Sequence, residues 1–496
     1  MTDRPAPATR PPVPGPRRVV VLGHGMVGAR FAEEVRSRDP DGRRVHLTVV
    51  GADADGAYNR VLLPEVVAGR LLPEELALPE PAGPGTAVRT GVAATAIDRE
   101  ARRVALDDGS ELDYDELVLA TGARAGFPPV DGLGGPDAPA PGVTALRDLA
   151  DCRRLTAMTA PGTPVVVLGG GVLGLEAARA LNGRGARVSV VEAAPWLMRR
   201  QLDKAAAGIL AERFTALGIA VHPWRVAARW RPGTGLELDD GRMLAADALV
   251  VAAGVRARDE LAAAAGIAVD QGVVVDDRLT SSDPRVHALG DCARHPGGGA
   301  GLVQPGWEQA AVLADLVTGA DPAARYRGAH PVTRLKAEGI ELTSLGEVET
   351  DDSAPGADAA QTVTVSDPHG GRYGRLTITG GRVTGAILLG FPDSAAAITQ
   401  LYDDGAPVPD DRLGLLLGRA APEPASAGPA DADALVCRCN GVRSSRIESA
   451  WLDGARTRED IARTTRATTG CGGCTRDVNA FLAAMGAGDP SRGTAT

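Results

Sequence analysis

The sequence predicts an α/β protein of two Rossmann-like dinucleotide-binding folds, one inserted in the other, followed by a small α+β domain and a helical C-terminal module. Three observations lead there. A valine-rich strand, a glycine turn and a helix occur in succession twice, at 17–35 and 163–181. Two similar strands, YDELVLATGA (114–123) and ADALVVAAGV (246–255), close the two folds in turn. Four of the six cysteines fall within the last 60 residues.

Composition sets the frame. A chain of 496 residues is long enough for several cores. Glycine and proline, 63 and 36 residues, stay below the level of general disorder, and 44% hydrophobic content supplies apolar surface to bury. The formal charge is -10, and Lys204 and Lys336 are the only lysines, so no basic stripe suggests a nucleic-acid partner. Residues 1–18 are rich in Pro and Ala with no continuous apolar run, which predicts a disordered leader rather than a signal peptide. The pair Arg17-Arg18 precedes a run already claimed by the glycine turn, so export is not expected. No apolar stretch reaches the roughly 20 residues of a membrane span. The clustered cysteines suit a metal site in a reducing compartment, and the expected location is the cytoplasm.

In RRVVVLGHGMVGARFAEEV a short strand runs into Gly23, Gly25 and Gly28 and then a helix. The first glycine permits the tight turn, the second lets the backbone approach a pyrophosphate, and the third lets helix pack on strand. The next strand, VHLTVV (45–50), ends just before Asp53, which is either a ribose-binding carboxylate or a loop acid.

TPVVVLGGGVLGLEAARAL repeats the pattern with Gly169, Gly171 and Gly174, and the following strand ends at Glu192. A carboxylate there repels a 2′-phosphate and accepts from a free 2′-hydroxyl, which favours NADH over NADPH, although Arg199 and Arg200 stand nearby. Glu176 in the helix and Gly254 at the closing strand complete the expected NADH set.

After the second closure comes SSDPRVHALGDCA (281–293), a strand ending at Asp291, and then the helix WEQAAVLADLV (307–317). Glycine turn, ATG strand and GD strand, around an inserted second glycine turn, resemble the two-dinucleotide flavoprotein superfamily of disulfide and ferredoxin reductases. The resemblance implies FAD on residues 19–150 with 256–325, and NADH on the insert 151–255. It implies FAD contacts at Thr121, Gly122, Gly290 and Asp291, with Asp291 on the ribitol. It also implies that the helix at Gly306 and Trp307 turns its positive end to the isoalloxazine.

Disulfide reductases of that superfamily need reactive cysteines early in the FAD domain, and this chain has none before Cys152. Cys152 and Cys292 read as small buried residues rather than redox groups. Relatives in the ferredoxin reductase branch place a lysine beside the flavin; the matching stretch AYNRVLLP offers Arg60, taken here as the flavin-side cation against the alternative of a surface arginine.

Residues 406–433, rich in Pro, Ala and Asp, read as a linker to a module at 434–486, with a tail at 487–496. Cys437 and Cys439 are followed, after 31 intervening residues, by Cys471 and Cys474. Four thiolates on two tight turns make a cage for zinc or for a 2Fe-2S cluster. The segment is similar to the bacterioferritin-associated ferredoxin (BFD) domain, which implies 2Fe-2S. Eight arginines against five acids between Val436 and Gly486 form either a solvated face or a docking surface for an acidic redox partner.

Residues 326–405, with VTRLKAEGIELTSLGEV and GRYGRLTITGGRVTGAILLG, form the small α+β domain, expected to serve packing and a homodimer contact. Taken together, the modules resemble the NADH-dependent nitrite reductase large subunits and the electron-transfer subunits of assimilatory nitrate reductases. That resemblance implies hydride transfer from NADH to flavin N5, then single-electron steps through the cluster to a partner. A sirohaem domain is not among the modules read, so the expected partner is a separate nitrate or nitrite reductase catalytic subunit. Two alternatives remain open: a ferredoxin- or rubredoxin-type reductase for another pathway, and a metal-responsive flavoprotein sensor.

Overall fold

The computed structural model describes residues 15–298, 301–346, 348, 360–419, 433, 435–437, 442–468 and 474–487. The chain gathers into two compact units. The first comprises Met1–Tyr58, Ala77–Ala123 and Ala257–Ala329; the second comprises Asn59–Leu76, Arg124–Arg256 and His330–Thr496.

The first unit is built on a five-stranded parallel sheet in the order Val286–Ala288, Glu116–Leu119, Arg17–Leu22, Val45–Gly51, Thr86–Thr90. Its central strands, VVVL within Arg17–Leu22 and LVL within Glu116–Leu119, read as continuous Val and Leu because the middle of a parallel sheet is covered on both faces, while the edge strand Thr86–Thr90 is only half-buried. Helix Met26–Arg38 packs against helix Val303–Thr318, burying Phe31, Ala32, Val35, Ala310, Leu313 and Val317 in the sheet's core. The strand read from residue 17 begins at Arg17, so Arg17 and Arg18 belong to the sheet rather than to the leader expected over 1–18: the Arg18 amide donates to the Asp115 carboxylate at 2.8 Å and its guanidinium bridges Asp113 at 3.2 Å.

The second unit repeats the plan, with parallel strands in the order Ala220–Pro223, Arg187–Glu192, Pro164–Leu168, Ala248–Val251, Val143–Ala145. Sequence places residues 59–76 and 124–150 in the first fold, whereas the structure gathers them with the second. The contacts explain the difference. Strand Val143–Ala145 extends the second sheet, and the Cys152 thiol lies 3.8 Å from the Leu63 carbonyl.

A five-stranded antiparallel sheet follows, in the order Val332–Ala337, Ile340–Gly346, Arg382–Leu389, Arg372–Thr379, Gln361–Asp367, with helix Pro392–Asp404 against it. The linker expected from residue 406 does not begin there. The Val408 amide donates to the Gly381 carbonyl at 2.8 Å. Asp411 then caps a short helix, Arg412–Leu416, whose Leu415 and Leu416 are fully buried in this domain's core. Residues 420–432 of the expected linker, and residues 1–14 and 488–496 of the termini, lie outside the described residues.

In the C-terminal module, Leu435–Cys437 pairs with Val442–Arg443, and three helices follow: Ser444–Leu452, Arg458–Thr465 and Thr475–Ala487. Their core contains Val442, Ile447, Ile461 and Val478 together with Cys437 and Cys474. Among the described residues no helix is long and apolar enough to cross a membrane.

Candidate functional site

The two glycine turns have the same geometry. Gly23 and Gly169 both take φ of +122°, and a Cβ on either would stand 2.0 Å from the Ala120 carbonyl oxygen or 2.3 Å from that of Ala252. Those alanines directly follow the closing strands, so each closing strand fits only against a glycine. A Cβ at Gly28 would lie 1.9 Å from the Gly23 oxygen, and at Gly174 2.0 Å from the Gly169 oxygen. At the middle glycines, Gly25 and Gly171, a Cβ would meet nothing within 4 Å. Each turn is therefore packed at its first and third glycine and open at its second, where a pyrophosphate needs access to the helix N-terminus.

Glu192 ends its strand against the second turn. One carboxylate oxygen accepts from the Gly170 amide at 2.6 Å and the other from the Ala194 amide at 2.7 Å, which leaves further lone pairs for a ribose diol. Arg199 lies over the Trp196 ring at 5.2 Å. Glu192→Ser is expected to narrow discrimination against NADPH by at least about tenfold, because it removes the carboxylate that a 2′-phosphate bound at this turn would meet. The ratio of kcat/KM for the two nucleotides checks this, and an unchanged ratio would remove Glu192 from the ribose contact.

In the first unit, Asp53 lies two residues beyond its strand and accepts from the Tyr58 hydroxyl at 3.0 Å and the Asp55 amide at 3.1 Å. Thr121 Oγ1 donates to the Arg258 carbonyl at 2.7 Å, and the Gly122 oxygen accepts from the Arg258 amide at 2.9 Å. Gly254 is its counterpart in the second unit, at positive φ with its carbonyl accepting from Gly126 at 2.8 Å. Asp291 accepts from the Gly301 amide at 2.9 Å. Gly306 lies in the first turn of its helix, close to Gly290 and Val27: a Cβ there would come within 2.6 Å of Val27 Cγ2. The Trp307 indole N–H is buried with no protein partner, a donor that a bound ligand can satisfy.

Arg60 and Glu176, the remaining expected residues, also have protein partners. Arg60 lies in the second unit, in a short 3-10 helix capped by Asn59, and donates to the Arg147 carbonyl at 3.1 Å. Glu176 is buried in its helix, 3.2 Å from Lys336 Nζ, and accepts the Lys336 amide at 2.9 Å. Burial pushes its pKa up while Lys336 opposes that shift.

Sequence reasoning missed Gln309, whose side-chain oxygen holds the Gly290 amide at 2.8 Å, and His24, buried in the first turn with both ring nitrogens unpartnered. Desolvation lowers the His24 pKa. A histidine between the first two glycines was the available clue.

The cysteines divide into two classes. Cys152 and Cys292 are buried among apolar groups; burial pushes the Cys152 thiol up to about 12 and raises that of Cys292 as well. Cys437 and Cys474 share the small C-terminal core, where the Thr468 amide donates to Cys474 Sγ at 3.2 Å. A charge-stabilising donor on a buried sulfur suits a metal-bound thiolate. Cys439 and Cys471 lie outside the described residues. Several of the module's arginines have acidic neighbours: Arg458 lies 2.7 Å from Glu459, Arg443 lies 3.9 Å from Asp433, and Arg463 pairs with Asp460. The module's surface is thus partly neutralised.

Residues 17–312 match the pyridine nucleotide-disulphide oxidoreductase family, 331–405 the rubredoxin NAD+ reductase C-terminal domain, and 435–484 the BFD-like 2Fe-2S binding domain. The chain is 35% identical to the NAD(P)H nitrite reductase large subunit of Klebsiella oxytoca, over 94% of this chain and 48% of that one. It is 31% identical to the assimilatory nitrate reductase electron transfer subunit of Bacillus subtilis, over 95% and 60%. The chain thus spans about half the length of the curated relatives it matches. Among solved structures, the covalent putidaredoxin reductase-putidaredoxin complex matches with a TM-score of 0.70 and 25% identity, over 79% of this chain and 94% of that one.

Proposed function

The chain belongs to the pyridine nucleotide-disulphide oxidoreductase family, and from that premise we propose that it carries electrons from NADH through FAD and a 2Fe-2S cluster to a separate nitrate or nitrite reductase catalytic subunit. It is an NAD(P)H-dependent FAD oxidoreductase with a BFD-like 2Fe-2S domain.

The observation that carries the proposed route is the division of the cysteines. Thiols buried as deeply as Cys152 and Cys292, with their pKa values raised, stay protonated and are poor nucleophiles. Cys437 and Cys474 instead stand together in a core with an amide directed at sulfur. Bound flavin accepts a hydride and releases electrons singly. The chain's own groups do the positioning. The turn at Gly23, Gly25 and Gly28 and the groups at Thr121, Gly122, Asp291 and Trp307 would hold the flavin dinucleotide. The turn at Gly169, Gly171 and Gly174, with Glu192, would hold NADH.

Similarity to a nitrate reductase electron transfer subunit along nearly the whole chain supports a protein acceptor in nitrogen-oxyanion reduction. The likeness to a reductase solved with its protein partner supports a second reading, delivery to a small redox protein. The proposal also includes a cytoplasmic location, the usual setting of such cysteine clusters, and a homodimer through the small α+β domain. The test is to reduce the purified protein anaerobically with NADH and mix it with separately purified nitrate and nitrite reductase catalytic subunits. Rapid return of the flavin absorbance with one of them is expected. Reoxidation by neither would overturn the acceptor assignment.

A further inference from the structure

Of the five tryptophans, Trp224 alone stands in the open: it is 62% exposed, while the other four are buried or half-buried. Its backbone is also unusual, with φ of +56°, in the left-handed region that large side chains rarely adopt. Strain of this kind tends to persist where function requires a side chain in a fixed place.

The location is specific. Trp224 directly follows the strand Ala220–Pro223, whose last residue is in register with Glu192 on the neighbouring strand. Two backbone hydrogen bonds fasten this corner to the Glu192 loop: the Trp224 amide donates to the Ala194 carbonyl at 2.9 Å, and the Arg225 amide to the Glu192 carbonyl at 3.0 Å. Arg225 is further tied to Asp240 at 3.0 Å. Glu192 in turn holds the Gly170 amide of the glycine turn. Turn, ribose-side carboxylate and indole therefore form a series along the carboxyl edge of one parallel sheet, the edge where such sheets bind nucleotides. Going outward from the glycine turn, the order matches that of a dinucleotide read from pyrophosphate to ribose to base.

We propose that Trp224 is the stacking platform for the adenine ring of the pyridine nucleotide. The inference rests on reading the second glycine turn as the NADH site. An exposed indole contributes no stability to the fold where it stands, but a purine face laid on it removes apolar surface from water and adds a π contact. The platform is fixed before the ligand arrives, because the backbone bonds to Ala194 and Glu192 hold the corner in place.

The test uses the FAD-loaded protein and calorimetric titration with ADP-ribose, which carries adenine, and nicotinamide mononucleotide, which does not. Trp224→Ala is expected to weaken ADP-ribose by about 5- to 150-fold, the range of base–aromatic stacking, and to leave nicotinamide mononucleotide unchanged. Trp224→Phe should restore most of the ADP-ribose affinity. Trp224→Gly, which tolerates the positive φ, should lose as much as the alanine variant, so that backbone relaxation is not the cause. In turnover, KM for NADH should rise while kcat at saturation holds.

Equal binding of ADP-ribose by wild type and Trp224→Ala would overturn the inference and leave the NADH site standing. Equal loss for both ligands, or a change in oligomeric state on substitution, would also overturn it. Failure of the wild type to bind ADP-ribose would overturn both the inference and the reading of the second turn.

Discussion

In a Cys437→Ser variant, NADH is expected to bleach the flavin as it does in the wild type, while electron delivery to a protein acceptor falls to background. The side chain is fully buried in the C-terminal core beside Cys474, in a module with its own hydrophobic cluster, distinct from the sheets that carry the two glycine turns. Serine keeps nearly the same volume, so packing changes little, but an alcohol is a far poorer ligand than a thiolate for iron. Flavin reduction is read from the visible band, and delivery from reduction of the acceptor. Loss of both together would show that the module is structural and would remove it from the electron path. Cys474→Ser should behave alike, because the Thr468 amide would then face a hydroxyl oxygen where it now supports a sulfur.

The second large effect comes from the first glycine turn, where neighbouring glycines should fail in different ways. Gly25→Val adds a Cβ that no atom beyond its chain neighbours approaches within 4 Å, so the fold is expected to survive. FAD affinity should fall by about 10- to 100-fold, the scale of a packing clash translated to binding. Gly28→Val puts Cβ at 1.9 Å from the Gly23 oxygen and should unfold the first sheet outright. Circular dichroism separates the two, and flavin fluorescence on mixing apoprotein with FAD measures the affinity. If Gly25→Val bound FAD like the wild type, the pyrophosphate would have to lie elsewhere. The matching pair Gly171→Val and Gly174→Val should do the same to NADH binding in the second unit.

These turns were legible in the sequence because their determinants are local. The backbone conformation at Gly23 and Gly169, and the close approach at Gly28 and Gly174, follow from spacing alone. The closing strands were legible for the same reason, since Ala120 and Ala252 each follow a run of buried apolar residues.

What escaped depends on contacts between residues far apart in the chain. Nothing in LPEVV announces that this helix lies beside Cys152 rather than within the first fold. The Pro- and Ala-rich composition after residue 406 concealed a capped helical turn whose two leucines enter the small domain's core. Glu176 is buried against Lys336, one of only two lysines, a pairing between residues 160 positions apart that no local pattern announces. Trp224 had no periodic pattern to mark it; what sets it apart is a positive φ and the backbone bonds by which it and Arg225 reach Ala194 and Glu192, far back in the chain.

On the proposed route, NADH, FAD and a 2Fe-2S cluster form one electron path in this chain. An anaerobic NADH titration of the wild-type protein, followed by visible absorbance and by low-temperature electron paramagnetic resonance, tests it most directly. The expected result is that the flavin band and the cluster band bleach together, with the paramagnetic signal of a reduced 2Fe-2S centre growing as NADH is added. Bleaching of the flavin alone, in protein that contains zinc and no acid-labile sulfide, would contradict it.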